Sequence, residues 1–275
     1  MDTTGLQTSL VPYPQHSRLG LRICDNAIDV VITSRIEDNS LIWHRIDLDA
    51  AATSPFKALE DAVYRNPLLL ADFGAIDVLI DTKRRLVVPA DKANADNIDA
   101  MFAQLYPDKN LETIATQIDK TGTVIAFADD AERVNFIRRT FNNPHICDRI
   151  VPLCRYFGIK NRLGNAGKFH VHLSANTIDI IAYGADGLHM ANTFESDNTN
   201  DDLYFVMSAA HFLAFDNNSD QMLLSGDAER REALIQLLRL YVSYVMPVIF
   251  PSAMFKAGKD SLSAPFELIT LPLCE

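Results

Sequence analysis

The chain has 275 residues, 48% hydrophobic and 22% charged, with 25 Lys and Arg against 36 Asp and Glu for a formal net charge of −11. That length can bury one large core or two smaller ones. The acidic balance excludes a sequence-independent grip on nucleic acid, which needs a basic face, and disfavours anionic membrane surfaces.

Residues 1–17 are polar and irregular and read as a loose arm. Met1 to Pro14 holds no Lys or Arg and no long apolar run, so no signal peptide is expected. Leu19 to Cys24 reads as a strand, Asp25-Asn26 as a turn and Ile28 to Thr33 as a second strand. After the turn Glu37-Asp38-Asn39-Ser40, Leu41 to Leu48 completes an antiparallel meander. Ser54-Pro55 opens a helix, Ser as N-cap and Pro at the first helical position, with Phe56, Leu59, Ala62 and Val63 on one face and a stop before Pro67. Ala75 to Ile80 and Arg85 to Val88 read as strands, Asn94 to Leu105 as a helix, and the polar stretch 107–122 has no assignable pattern. Thr123 to Phe127 is a continuous apolar run, the pattern of a strand buried on both faces. Asp129 or Asp130 caps a helix through Phe141, and Ile146 to Leu153 returns to the core. Asn161 to Lys168, with two glycines, reads as a linker.

The second half repeats this plan. Leu21 to Thr33 (LRICDNAIDVVIT) matches Val171 to Tyr183 (VHLSANTIDIIAY), pairing Asn26 with Asn176 and Asp29 with Asp179 at an offset of about 150 residues. Strands are expected at Phe169 to Leu173, Thr177 to Tyr183 and Leu188 to Phe194, with turns at Ala175-Asn176 and Asp186-Gly187. A helix follows over Asp201 to Phe215, then a buried strand over Gln221 to Leu224. Asp227 caps a helix running to about Val245, followed by a strand at Val248 to Phe250 and an apolar segment at Phe266 to Leu273. In that helix Tyr241, Val242, Tyr244 and Val245 join Leu234, Leu237 and Leu238 in an apolar stripe, read as core. Ile125, Phe127, Leu223 and Leu224 are expected to be nearly inaccessible; Asp29 and Asp179, each among Ile and Val, are expected to point to solvent. The result is an α/β chain of two mixed-sheet halves: an arm at 1–17, a first half at 18–165 with an inserted segment at about 83–122, and a second half at 166–275.

Cys24, Cys147, Cys154 and Cys274 are scattered, with no Cys-x-x-Cys pair, and read as small core residues. His170-x-His172 on a strand puts two imidazoles on one face, but a metal needs at least three ligands, so no metal or cofactor is expected. No Gly-x-Ser-x-Gly elbow, P-loop or Gly-x-Gly-x-x-Gly occurs, which argues against a hydrolase or another nucleotide fold. No segment reaches the ~18 apolar residues of a membrane helix, so membrane insertion is not expected and the cytoplasm is the expected location.

Two such halves in tandem resemble the duplicated actin-like (ribonuclease H-like) fold of actin, sugar kinases, Hsp70 chaperones and pilus-assembly ATPase-like proteins. VIAFADDAERVNFIRRTF with ICDRIVPLCRYF, and LLSGDAERREALIQLL, are similar to strand–helix units of the pilus-assembly branch. RLVVPADKA, VIAFADD, LLSGDAERREAL and PFELITLPLCE resemble an uncharacterised bacterial family with a degenerate actin-like fold. In active members the first turn of each half carries Asp-x-Gly, where the glycine admits phosphates and the acid organises the metal. Here Arg22 and Cys24 stand at those places in the first turn, and His172 and Ser174 in the second. Only an adenosine-side element survives in outline, as Ser225-Gly226-Asp227. The resemblance therefore implies a cleft flanked by Arg22, Asp25, Asn26, His172, Ser174, Asn176, Ser225 and Gly226 that has lost ATP hydrolysis. The expected role is a non-catalytic adaptor for an unknown protein partner; the alternative is a nucleotide- or small-ligand-binding protein using the same cleft, and a metal-dependent enzyme built on His170 and His172 is a third, weaker reading.

Overall fold

The computed structural model describes residues 6–107, 110–118, 122–161, 168–184, 187–249 and 258–271. The first meander forms as expected: β1 (Ser17–Ile23), β2 (Ala27–Ser34) and β3 (Ile42–Asp47). Helix α1 (Pro55–Tyr64) starts where Ser54 accepts a hydrogen bond from the Lys57 amide. Strand β4 (Ala75–Ile80) then runs parallel to β1, and β8 (His145–Asp148) parallel to β4, giving the sheet order β3-β2-β1-β4-β8. The second half repeats that order as β11-β10-β9-β12-β13, built from β9 (Lys168–Leu173), β10 (Thr177–Gly184), β11 (Gly187–Glu195), β12 (Gln221–Gly226) and β13 (Tyr244–Pro247). The duplication is therefore one of topology as well as of residues.

Each sheet is covered on both faces. Leu21, Ile23, Val30 and Val78 of the first sheet pack against α1 and α3 (Ala131–Thr140), which Asp130 caps. Phe169, Val171, Ile180 and Leu224 of the second pack against α5 (Thr199–Phe212) and α6 (Ala228–Leu238). The inner faces meet in a shared layer containing α4 (Ile150–Asn161) and α7 (Phe266–Thr270), where Val31 and Leu79 of one sheet join Ile181 and Tyr183 of the other. The interior thus reads helix, sheet, helix, sheet, helix.

Several expectations need correction. β5 (Arg85–Pro89) does not pair with β4; it joins β6 (Leu111–Gln117) and β7 (Thr123–Asp130) in a separate three-stranded antiparallel sheet. The polar stretch at 107–122 supplies β6, a half-exposed strand without a clean apolar alternation. Ile125 and Phe127 are buried as expected, while Ala126 and Ala128 face Ile98 and Phe102 of α2 (Ala95–Leu105). Leu224 is inaccessible but Leu223 is only half-buried, because alternation along β12 turns it away from the α5–α6 core. Helix α6 ends at Leu238 rather than near Val245, and the aromatic and β-branched run Tyr241 to Val245 feeds β13. Leu234, Leu238, Val242 and Val245 are core residues, whereas Leu240, Tyr241, Tyr244 and Met246 are exposed. The N-terminal stretch is not free: Leu6 and Val11 are buried in the first core, and the Leu6 amide donates to Asn66 Oδ1 at 2.8 Å. Most of the expected linker 161–168 lies outside the described residues, as do Asp186 of the expected Asp186-Gly187 turn, Phe250 and Cys274. Among the described residues no helix is long and apolar enough to cross a membrane.

Candidate functional site

The two matched turns occupy equivalent places. Cys24 N donates to Ala27 O at 2.9 Å, and Ser174 N to Thr177 O at 3.0 Å. Leu48 N donates to Asn26 O at 2.8 Å, and Ser196 N to Asn176 O at 3.1 Å. Across β1, β2 and β3, Arg22, Asp29 and Arg45 stand side by side; across β9, β10 and β11 their counterparts are His172, Asp179 and Thr193. Asp81 N donates to Ile23 O at 3.0 Å, and Asp227 N to Leu173 O at 2.9 Å, which makes Asp81 and Asp227 a further matched pair.

Asp29 and Asp179 do not reach solvent: they are 1% and 0% exposed. Alternation does turn them away from their apolar neighbours, but both sheet faces are covered, so they turn into the shared layer. A carboxylate there needs a cation and hydrogen bonds. Arg22 donates to Asp29 Oδ2 from Nη2 at 2.7 Å and to Glu267 Oε1 of α7 from Nη1 at 2.8 Å. Asp179 has only His172 and Thr193 beside it on its sheet, so its cation comes from the start of α4. Arg149, 1% exposed, reaches Asp179 Oδ2 at 2.5 Å and Oδ1 at 3.0 Å, and its Nε donates to Asp81 at 2.5 Å. Thr193 Oγ1 donates to Asp179 and accepts from Arg85, whose guanidinium also binds Asp148 through two bonds of 2.8 and 2.6 Å. Lys83 pairs with Glu195 at the surface of the same junction. The two halves are thus joined by charges where the resemblance places the phosphates.

The electrostatics follow from this packing. Burial alone would raise the Glu267 carboxyl, but Arg22, His172 and Arg149 overcome it and hold it at about 2. Burial likewise opposes ionisation of Asp179, and Arg149 reverses it, so this carboxyl titrates below its ordinary value. Burial lowers His172 despite Glu267 and Asp179. Its Nδ1 lies 2.9 Å from Ser225 Oγ, and its Nε2 3.6 Å from Glu267 Oε2. Burial pushes the Cys24 thiol up to about 12, far from a reactive thiolate. His170 is fully buried and stacked on Phe157, ring centroids 3.9 Å apart. Among the described residues no three His, Cys, Asp or Glu are grouped to hold a metal.

Beside this network a cavity of about 500 Å³ remains open. Trp43 and Arg45, the second turn, the start of α6 and the segment before α7 wall it. Of the sequence candidates it brings together Arg22, His172, Ser174 and Gly226. Asp25, Asn26 and Asn176 lie on exposed turns outside its lining, and Ser225 is buried behind it. Gly226 has φ +91°, and a Cβ there would sit 1.9 Å from Leu173 O, so close backbone packing by itself requires the glycine. Sequence reasoning missed Arg149, Glu267, Trp43, Arg45 and Arg231. The available signal was a lone charge inside an apolar run, Arg149 in DRIVPLC and Glu267 in PFELITL, since such residues are rarely buried unless paired.

The fold is that of the actin-like ATPases. A Bacteroides thetaiotaomicron structure described as a protein with actin-like ATPase fold and unknown function superposes with TM-score 0.79 at 21% identity, covering 100% of both chains. A structure of the PilM–PilN type IV pilus biogenesis complex matches with TM-score 0.51 at 13% identity, covering 94% of this chain and 98% of the other. No curated protein matches the chain. The model of a family of proteins of unknown function, DUF3822, matches residues 13–245, and the chain belongs to that family.

Proposed function

We propose that this protein is a non-catalytic actin-like body, with lobes at 18–165 and 166–275, that acts by binding another protein. The observation that carries this reading is the ion network at the meeting of the two turns. Arg22, Arg149, Asp179 and Glu267 neutralise one another there. Cys24 and Ser174 stand where a glycine would admit phosphates, and Arg22 and His172 stand where an acid would organise magnesium. Exposed Leu240, Tyr241, Tyr244, Met246 and Ile249 beside the outer strand β13 support an interaction role. So does the PilM–PilN structure, a body of this fold within a protein complex.

A working nucleotide site of micromolar affinity would stabilise the fold by about 4 kcal/mol at millimolar Mg-ATP. The expected outcome is no melting shift and no phosphate release. A shift above about 3 °C that saturates with Mg-ATP concentration would refute the reading, since stabilisation of that size needs a specific site. The open cavity of about 500 Å³ favours a second reading, binding of a small ligand without hydrolysis.

A further inference from the structure

The matched pairs define two equivalent spaces, one at each side of the pseudo-two-fold. The space between Asp81 and Thr193 is filled, because β5 carries Arg85 across it to Asp148 and Thr193. The space between Asp227 and Arg45 is the open cavity, because β12 leads into α6, whose Arg230 turns to Asp202 and whose Arg231 turns to Gly226 O. What lines it has opposed polarity. Two of its lining residues are carboxylates, each 1% exposed, and Asp29 Oδ1 and Glu267 Oε2 accept no hydrogen bond, having only Arg45 Nη1 and His172 Nε2 beyond bonding distance at 3.6 Å each. Its α6 wall is positive. The first-turn amides of Ala228 and Glu229 have no intrahelical acceptor. Arg231 follows them, a cation placed against the helix dipole. Among the described residues Arg231 pairs with no carboxylate; its Nη1 donates to Gly226 O at 3.2 Å and its Nε has no partner. Charges around the cavity balance: Arg22, Arg45 and Arg231 face Asp29, Asp227 and Glu267. Trp43 and Phe266 supply flat apolar surface between the two ends.

We propose that this cavity binds a zwitterionic small molecule of the amino-carboxylate class. Its carboxylate meets Arg231 and the first turn of α6, its ammonium is directed at the Glu267–Asp29 floor, and an apolar side chain lies against Trp43 and Phe266. The floor leaves two carboxylate oxygens without a hydrogen-bond donor and the wall leaves amides and a guanidinium nitrogen without an acceptor, so a ligand with a single charge satisfies one end and a separated pair of charges satisfies both. This rests on the small-ligand reading.

Trp43 is the one tryptophan in the chain, so tryptophan fluorescence of the intact protein comes from a residue of the cavity wall. The probes are L-phenylalanine, 3-phenylpropionate, which lacks the ammonium, and 2-phenylethylamine, which lacks the carboxylate. Phenylalanine is expected to change the signal saturably, with each single-charge probe roughly tenfold weaker or worse, because each leaves one charged cluster unpaired. Arg231→Met is expected to abolish the phenylalanine response; should that variant not fold, Arg231→Gln, which removes the charge but keeps a polar side chain, is expected to weaken it roughly tenfold or more. Equal binding by either single-charge probe overturns the zwitterion and leaves the small-ligand reading standing. No response to any of the three overturns the zwitterion as well. The small-ligand reading is then decided separately, by whether a metabolite panel gives any melting shift accompanied by a Trp43 change.

Discussion

Replacing Glu267 with Gln tests whether the network at the junction holds the halves together. The carboxylate is 1% exposed and ion-paired to Arg22 at 2.8 Å. Burial works against it, yet the neighbouring cations bring it from the ordinary 4.5 to about 2. A group depressed by that much contributes about 3 kcal/mol of stability at neutral pH. The sign follows from which state takes the proton first. The unfolded chain protonates this carboxyl near its ordinary value, whereas the folded chain does so only near 2, so the contribution is complete above about pH 5 and fades as pH falls, about half of it gone near pH 3. Glu267→Gln removes the charge and keeps the shape. Urea unfolding is expected to show a deficit of about 3 kcal/mol at neutral pH that narrows by about half near pH 3. A deficit below about 1 kcal/mol at neutral pH, or one that does not change on acidification, would mean that Glu267 is not a counter-ion to Arg22.

Arg149→Met should cost about 3–5 kcal/mol, because it leaves the buried Asp179 carboxylate without its cation. Adding Asp179→Asn should recover part of that loss, and strict additivity in urea unfolding would show that the two side chains do not interact. Gly226→Ala should lower the melting temperature by the equivalent of roughly 2–4 kcal/mol, given the positive φ and the carbonyl of Leu173 in the way. An alanine variant melting with the wild type would place that carbonyl elsewhere.

The sequence by itself determined the duplication, because residues at one offset in two hairpins must meet the same neighbours. Arg22 faces Asp29 as His172 faces Asp179 in the same register. It also placed the helix starts at Ser54 and Asn94 and narrowed the third to Asp129 or Asp130, of which Asp130 caps, because a side-chain oxygen there bonds a nearby backbone amide and nothing distant is involved. The end of α6 was not legible locally: Tyr241 to Val245 suits helix or strand, and the parallel pairing with β12 decides it. Nor did alternation say where Asp29 and Asp179 go. It gives the face of a strand, and only the packing of α4 and α7 between the sheets makes that face an interior. The same holds for the site. Arg22 and His172 are adjacent to their turns in the sequence, but their meeting with Arg149 and with Glu267, 245 residues from Arg22, exists only once the second sheet folds back over the first. Long-range pairing of buried charges leaves no periodic trace, because a charge needs one partner at bonding distance and not a repeating face.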